Sequence, residues 1–133
     1  MEANANTSRH KRVLIVDGHE EVLISLEKLL EDAGFSTTTS WTVADVARFL
    51  RSTRYDVVLV NEYLPDCYCE VLLRARKRND EAYWIVMQGT APEMTDRNRF
   101  IRLGADAVVC KHQSQAILET VRRMTSWPVG SAA

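Results

Sequence analysis

The chain has 133 residues, a hydrophobic content of 46% and a formal net charge of −1, which suits one globular domain with a continuous core. The near-zero charge gives no bulk attraction to nucleic acid or to an anionic membrane. No apolar stretch approaches the roughly 20 residues of a membrane span, and the polar N-terminus lacks the apolar segment of a secretion signal. We therefore expect a cytoplasmic domain over residues 11–126, a flexible tail over residues 1–10 and a C-terminal tail over residues 127–133.

Short apolar strands and amphipathic helices alternate five times along the chain. The predicted strands are Val13–Val16, Phe35–Thr39, Val57–Val60, Trp84–Met87 and Ala107–Cys110. Five helices with an apolar face are predicted, and they span Val22–Ala33, the segment from the capping motif at Thr42 to Leu50, about Cys69 to Arg78, Pro92–Leu103 and Ile117–Met124. Gly34 and Gly104 follow two of them as helix stops. Because such alternation favours right-handed crossovers onto a parallel sheet, we predict an α/β, doubly wound domain with helices on both faces.

Asn61 is an amide at a position where this pattern favours a carboxylate. It directly follows the apolar run Val57–Val60, and the carboxyl ends of parallel strands are where open α/β sheets place their chemistry. A carboxylate there can be a nucleophile or a metal ligand, whereas an amide serves poorly as either. The loops predicted to meet Asn61 in one pocket are Asp17-Gly18, Gln88-Gly89-Thr90 and Lys111-His112.

Three segments of the sequence resemble the characteristic segments of a known protein family. They are VLIVDGHEEVLISLEKLLEDAGF, YDVVLVNEYLPD and LGADAVVCK. Their order and spacing, from about Arg12 to Met124, are similar to those of the CheY-like receiver domain of bacterial response regulators. The resemblance implies a flavodoxin-like sheet of five parallel strands in the order 2-1-3-4-5, and a role in two-component signalling.

The resemblance also implies a pocket, from which this sequence departs. Active receivers carry an acidic pair after strand one, a phosphoacceptor Asp after strand three, a hydroxyl residue after strand four and a Lys after strand five. Asp17 keeps the first acid and Lys111 keeps the lysine. The departures are Gly18 at the second acid, Asn61 at the phosphoacceptor, Gln88 at the hydroxyl position and Val108 at the switch aromatic. Thr90 is an alternative for the hydroxyl position, because Gln88 lies one residue further from Lys111 than is usual.

These departures predict a degenerate receiver, or pseudo-receiver, that aspartyl phosphorylation does not switch. We expect no catalytic residues, no metal and no cofactor, because Mg²⁺ prefers carboxylate oxygens and no nucleophile–base set converges on the pocket. The expected partner is a signalling kinase, a regulator or an effector, or a second copy in a homodimer. In the family, the usual contact face is formed by the fourth helix, fifth strand and fifth helix, here roughly Pro92–Leu103, Ala107–Cys110 and Gln113–Met124.

Two other interpretations remain open. The vacated pocket could sense a small molecule, or the chain could be a receiver fragment of a transcription regulator whose DNA-binding domain lies elsewhere. Residues 127–133 leave no room for an output domain, so the chain is either a complete adaptor or has lost its effector. A third possibility, a single engineered substitution at position 61, would not explain the departures at Gly18, Gln88, Val108 and His112, where His112 replaces the proline that usually follows the lysine.

Several local features have both a structural and a functional interpretation. Lys111 either pairs with Asp17 or forms a residual anion site, and the cost of an unpaired buried charge favours pairing. Asn61 and Gln88 could hydrogen-bond to each other. The three cysteines, Cys67, Cys69 and Cys110, are expected to be reduced thiols and to form no zinc site. The basic run from Arg74 to Arg78 is best explained as cations at a helix C-terminus.

Overall fold

The structure is a computed structural model, and it describes residues 11–76, 81–89 and 94–126. Its strands are β1 (Arg12–Val16), β2 (Ser36–Ser40), β3 (Val57–Asn61), β4 (Tyr83–Gln88) and β5 (Ala107–Cys110). Its helices are α1 (Glu20–Asp32), α2 (Val43–Ser52), α3 (Glu70–Ala75), α4 (Met94–Arg102) and α5 (Ser114–Ser126). All neighbouring strands are parallel, in the order β2-β1-β3-β4-β5. The predicted doubly wound fold is confirmed.

The sheet separates two layers of buried side chains. Alternate residues of β1 enter different layers, since Leu14 and Val16 pack with the residues of α2, α3 and α4, while Val13 and Ile15 pack with those of α1 and α5. All residues of β3 are buried, as expected for a central strand covered on both faces. No helix in the described ranges is long and apolar enough to cross a membrane.

Local signals fix several helix ends where the sequence predicts them. Gly34 and Gly104 follow α1 and α4 with φ of 99° and 116°, a left-handed conformation that glycine adopts without a Cβ clash. At the start of α2, the hydroxyl of Thr42 accepts a hydrogen bond from the backbone N–H of Asp45 at 3.2 Å, as in an N-cap. These ends orient the loops that form the carboxyl edge of the sheet.

The predicted end of the third helix is wrong. Instead of reaching Arg78, α3 ends at Ala75, and Arg76 has a non-helical backbone with φ of −57° and ψ of 132°. The Arg76 guanidinium donates to the backbone oxygens of Gly104 at 2.6 Å and Ala82 at 2.7 Å. Arg76 therefore links the loops that contain Gly104 and Ala82. These hydrogen bonds, and not an interaction with the helix dipole, account for its position. Lys77, Arg78, Thr90, Pro92 and Trp127 lie outside the described residues.

Candidate functional site

The carboxylate of Asp17 lies buried at the end of β1, where it receives three donors. Its Oδ1 accepts from the backbone N–H of His19 at 2.9 Å and is 2.9 Å from His19 Nδ1. Its Oδ2 accepts from Lys111 Nζ at 3.3 Å. The exposed fraction of the side chain is 0% for Asp17 and 9% for Lys111. The predicted Asp17–Lys111 pairing is confirmed, and the charges that a receiver-like pocket retains here compensate each other.

The two predicted amides are at the carboxyl ends of neighbouring strands but bind different partners. Asn61 Nδ2 donates to the backbone oxygen of Tyr63 at 2.7 Å, a local bond that competes with longer-range ones. Gln88 Nε2 donates to Glu62 Oε2 at 3.1 Å. Their predicted mutual hydrogen bond is therefore wrong, because the turn after β3 supplies an acceptor to each. Gln88 Oε1 is buried without a hydrogen-bond partner among the described residues.

Gly18 is held against Pro65, a residue of the turn that follows β3. A Cβ built on Gly18 would lie 2.8 Å from both Cγ and Cδ of Pro65, closer than carbon atoms pack in real structures. Glycine thus permits a close approach between the loops after β1 and β3. Any side chain at position 18 requires the Pro65 ring to move.

Val108 sits inside the core on β5. Its exposed fraction is 2%, and it belongs to the same buried cluster as Trp84, Val86 and Phe100. A valine has no ring that could turn between a buried and an exposed orientation. Its branched side chain instead fills a fixed place in the core.

Sequence reasoning missed two residues that complete the polar network. His19 binds Asp17, and Glu62 binds Gln88. His19 follows the strand end by only three residues, and a carboxylate often binds the backbone two residues further on, so this contact had a local signal. Glu62 had none, because its partner comes from a different strand.

The buried thiol of Cys69 is unsuited to redox sensing. Burial, reinforced by the negative charges of Glu70 and Glu62, raises the pKa of Cys69 to about 12. The three cysteines are free. Among the described residues, no group of three or more His, Cys, Asp or Glu side chains could hold a metal ion.

We expect iodoacetamide to modify Cys67 far faster than Cys69 in the folded protein at pH 8. Only the thiolate reacts, and a pKa near 12 leaves Cys69 almost fully protonated, so its rate should be on the order of a hundredfold below that of the more accessible Cys67. Tandem mass spectrometry of the peptide that carries both residues gives the two rates, with urea-unfolded protein as the control. Equal rates in the folded protein would contradict the burial of Cys69.

The strand order and the crossovers define a flavodoxin-like receiver fold, a class of signalling modules. Residues 13–122 match the model of the response regulator receiver domain family, so the chain belongs to that family. It is a receiver domain of the two-component response regulator type. No curated protein matches the sequence closely enough to count as a relative.

Solved structures show the same fold. A CheY-like response regulator receiver domain protein from Methanospirillum hungatei JF-1 is 25% identical with a TM-score of 0.79, covering 89% of this chain and 96% of that one. A two-component response regulator from Clostridium difficile is 19% identical with a TM-score of 0.81, covering 89% and 98%. The beryllofluoride-activated NtrC4 receiver domain, described as a dimer, is 23% identical with a TM-score of 0.75, covering 85% and 94%.

The residues at this edge do not fit the Mg²⁺ ion that receiver phosphorylation uses. Both carboxylate oxygens of Asp17 are engaged by Lys111 and His19. Gly18 offers no side-chain oxygen, and Asn61 turns its NH₂ group toward the Tyr63 carbonyl. Mg²⁺ needs hard oxygen ligands in octahedral geometry, and the side chains at the three expected positions supply a single carboxylate.

Proposed function

We propose that this receiver domain signals without aspartyl phosphorylation and acts through protein–protein contacts. The observation that carries the proposal is Asn61, an amide buried at the end of β3 and hydrogen-bonded to its own turn. It has no carboxylate oxygen to accept a phosphoryl group. The Asp17–Lys111 pair supports the same conclusion, because it already uses the remaining acid and cation of the pocket.

We place the main contact surface on α4, β5 and α5, the face that the family uses for partners or for dimers. Ile101 on α4 supports this assignment, since it is a large hydrophobic side chain with an exposed fraction of 44%. Exposed Arg97 and Arg102 accompany it on α4. With Val108 fixed in the core, contact at this face is constitutive, and the abundance of the partner sets the level of the signal.

Phosphorylation is tested by incubating the protein with acetyl phosphate and Mg²⁺ and measuring the intact mass. We expect no phosphoryl adduct, while an active receiver domain treated in parallel serves as the positive control. An adduct of phosphoryl mass that hydroxylamine removes is an acyl phosphate, and its presence on this chain would disprove the phosphorylation-independent function.

The contact surface is tested by pull-down from the native cell with Ile101→Glu as bait. The matched control is Ile24→Glu, because Ile24 on α1 has a comparable exposed fraction of 57% and lies outside the assigned face. Loss of partners with Ile101→Glu alone supports the assignment. Recovery of the same partners with both variants would show that the assigned face is wrong.

A further inference from the structure

A closed turn after β3 carries two exposed tyrosines at the carboxyl edge of the sheet. The backbone N–H of Cys69 donates to the Glu62 oxygen at 3.0 Å, and an antiparallel bridge joins Tyr63 to Tyr68. The two rings meet edge to face with centroids 5.4 Å apart, yet their exposed fractions are 60% and 61%. Rings that are already ordered offer contact area at a low entropic cost of binding.

Trp41 is a third exposed aromatic side chain at the carboxyl edge of the sheet. It follows β2 with an exposed fraction of 55%. Both carboxylate oxygens of Asp66 accept from the backbone N–H of Val43, at 3.0 and 3.1 Å, so the tyrosine turn is fastened two residues from Trp41. Of the six exposed large hydrophobic side chains in the described ranges, three therefore lie on these two connected loops. We call Trp41, Tyr63 and Tyr68 the aromatic edge.

The surroundings of the aromatic edge are acidic. Four carboxylates at this end of the sheet make no ion pair within the described ranges, and they are Glu20, Glu21, Glu62 and Asp66. Three cations are already in ion pairs, Lys111–Asp17, Arg48–Asp45 and Arg99–Glu70, whereas Arg97 on α4 is exposed. The edge thus concentrates negative charge in a chain whose formal net charge is only −1.

We propose that the aromatic edge binds a basic, extended segment of another protein. Lys and Arg side chains stack on the faces of Tyr and Trp, and the unpaired carboxylates attract the same cations. A second copy of this chain does not suit the surface, because a two-fold contact would bring the same unpaired carboxylates together. The aromatic edge is separate from the α4, β5 and α5 face, so either surface can fail its test independently of the other.

The first test measures the affinity of the full chain for a fluorescein-labelled peptide of alternating Arg and Ser, about twelve residues long, by fluorescence anisotropy. The control peptide replaces each Arg with Glu. We expect binding of the basic peptide only, and a marked loss of affinity between about 0.05 and 0.5 M salt. Absence of binding to the basic peptide, or equal binding of both peptides, overturns the proposal.

The second test asks whether the tyrosines matter beyond bulk charge. The double variant Tyr63→Ala, Tyr68→Ala should bind the peptide roughly tenfold or more weakly. Its control is Ile24→Ala, an exposed side chain on α1, which should leave binding unchanged.

The charges are tested with the double variant Glu20→Gln, Glu21→Gln, which should weaken binding and reduce its salt dependence. The control double variant Glu27→Gln, Glu119→Gln should change neither. The proposal is refuted if the peptide still binds after loss of both tyrosines. It is also refuted if sedimentation velocity shows that the chain dimerises through this surface and that the dimer releases the peptide.

Discussion

Replacing Lys111 with Met lowers the free energy of unfolding by about 3–5 kcal/mol, the largest effect we expect from a single substitution. The change leaves the Asp17 carboxylate, whose side chain is fully buried, without its cation. His19 remains near Oδ1, but its ring is largely exposed and compensates the charge less well. Urea denaturation followed by circular dichroism measures the effect.

Two controls distinguish the effect of breaking the buried Asp17–Lys111 pair from the effect of removing any lysine charge. Asp17→Asn combined with Lys111→Met should recover much of the loss, because it removes the unpaired charge. Lys28→Met tests an exposed pair with the same separation, since Lys28 Nζ is also 3.3 Å from an oxygen of Asp32, and it should cost at most about 1 kcal/mol. If Lys111→Met costs no more than Lys28→Met, the Asp17–Lys111 pair does not stabilise the pocket.

Asn61→Asp should destabilise the domain by about 2–4 kcal/mol at neutral pH without restoring phosphorylation. The substitution replaces the Nδ2 donor with an oxygen that faces the Tyr63 carbonyl, 2.7 Å away in the present structure. It also adds a buried negative charge next to Asp17, because Val60 and Val16 are paired in register one residue earlier. Gly18 still supplies no second acid for a metal.

The pH dependence of this variant has a definite sign. Burial favours the neutral acid, so the new carboxyl has a higher pKa in the folded state than the usual value of about 4 in the unfolded state. The folded state therefore holds a proton that the unfolded state has lost, and stability falls as pH rises through the folded pKa. Denaturation between about pH 4 and 8 should show this slope relative to Asn61→Ala, which loses the hydrogen bond without adding charge. A flat profile, or an adduct with acetyl phosphate, would contradict the description of the site.

The sequence was sufficient to predict the fold because its signals are local and repeated. Four of the strands are short apolar runs, and the edge strand β2 is instead rich in β-branched threonines. Gly34, Gly104 and Thr42 mark helix ends through backbone conformation or capping. The end of α3 was mispredicted because the run of basic residues suits a helix C-terminus. Tertiary hydrogen bonds oppose continuation of the helix, since Arg76 donates to the backbone oxygens of Ala82 and Gly104 in other loops.

The candidate site was only partly predictable. The Asp17–Lys111 pairing could be predicted because burying an unpaired charge is unfavourable in free energy, whatever the local geometry. The partners of Asn61 and Gln88 depend on how the turn from Glu62 to Tyr68 closes. An amide can donate to any acceptor within reach, and residue types alone do not show which acceptor the backbone brings near.

The contact between Gly18 and Pro65 opposes any substitution that would place a second carboxylate beside Asp17. A carboxylate at position 18 would bring a Cβ to within 2.8 Å of the Pro65 ring, so the ring must be displaced to accommodate it. A carboxylate at position 61 meets its own unfavourable contact with the Tyr63 carbonyl. Each substitution alone is expected to destabilise the domain and still leaves no metal site, so the two cannot be judged one at a time. A carboxylate set suited to a metal ion at this edge therefore requires coordinated changes at positions 18, 61 and 65, and no single substitution supplies it.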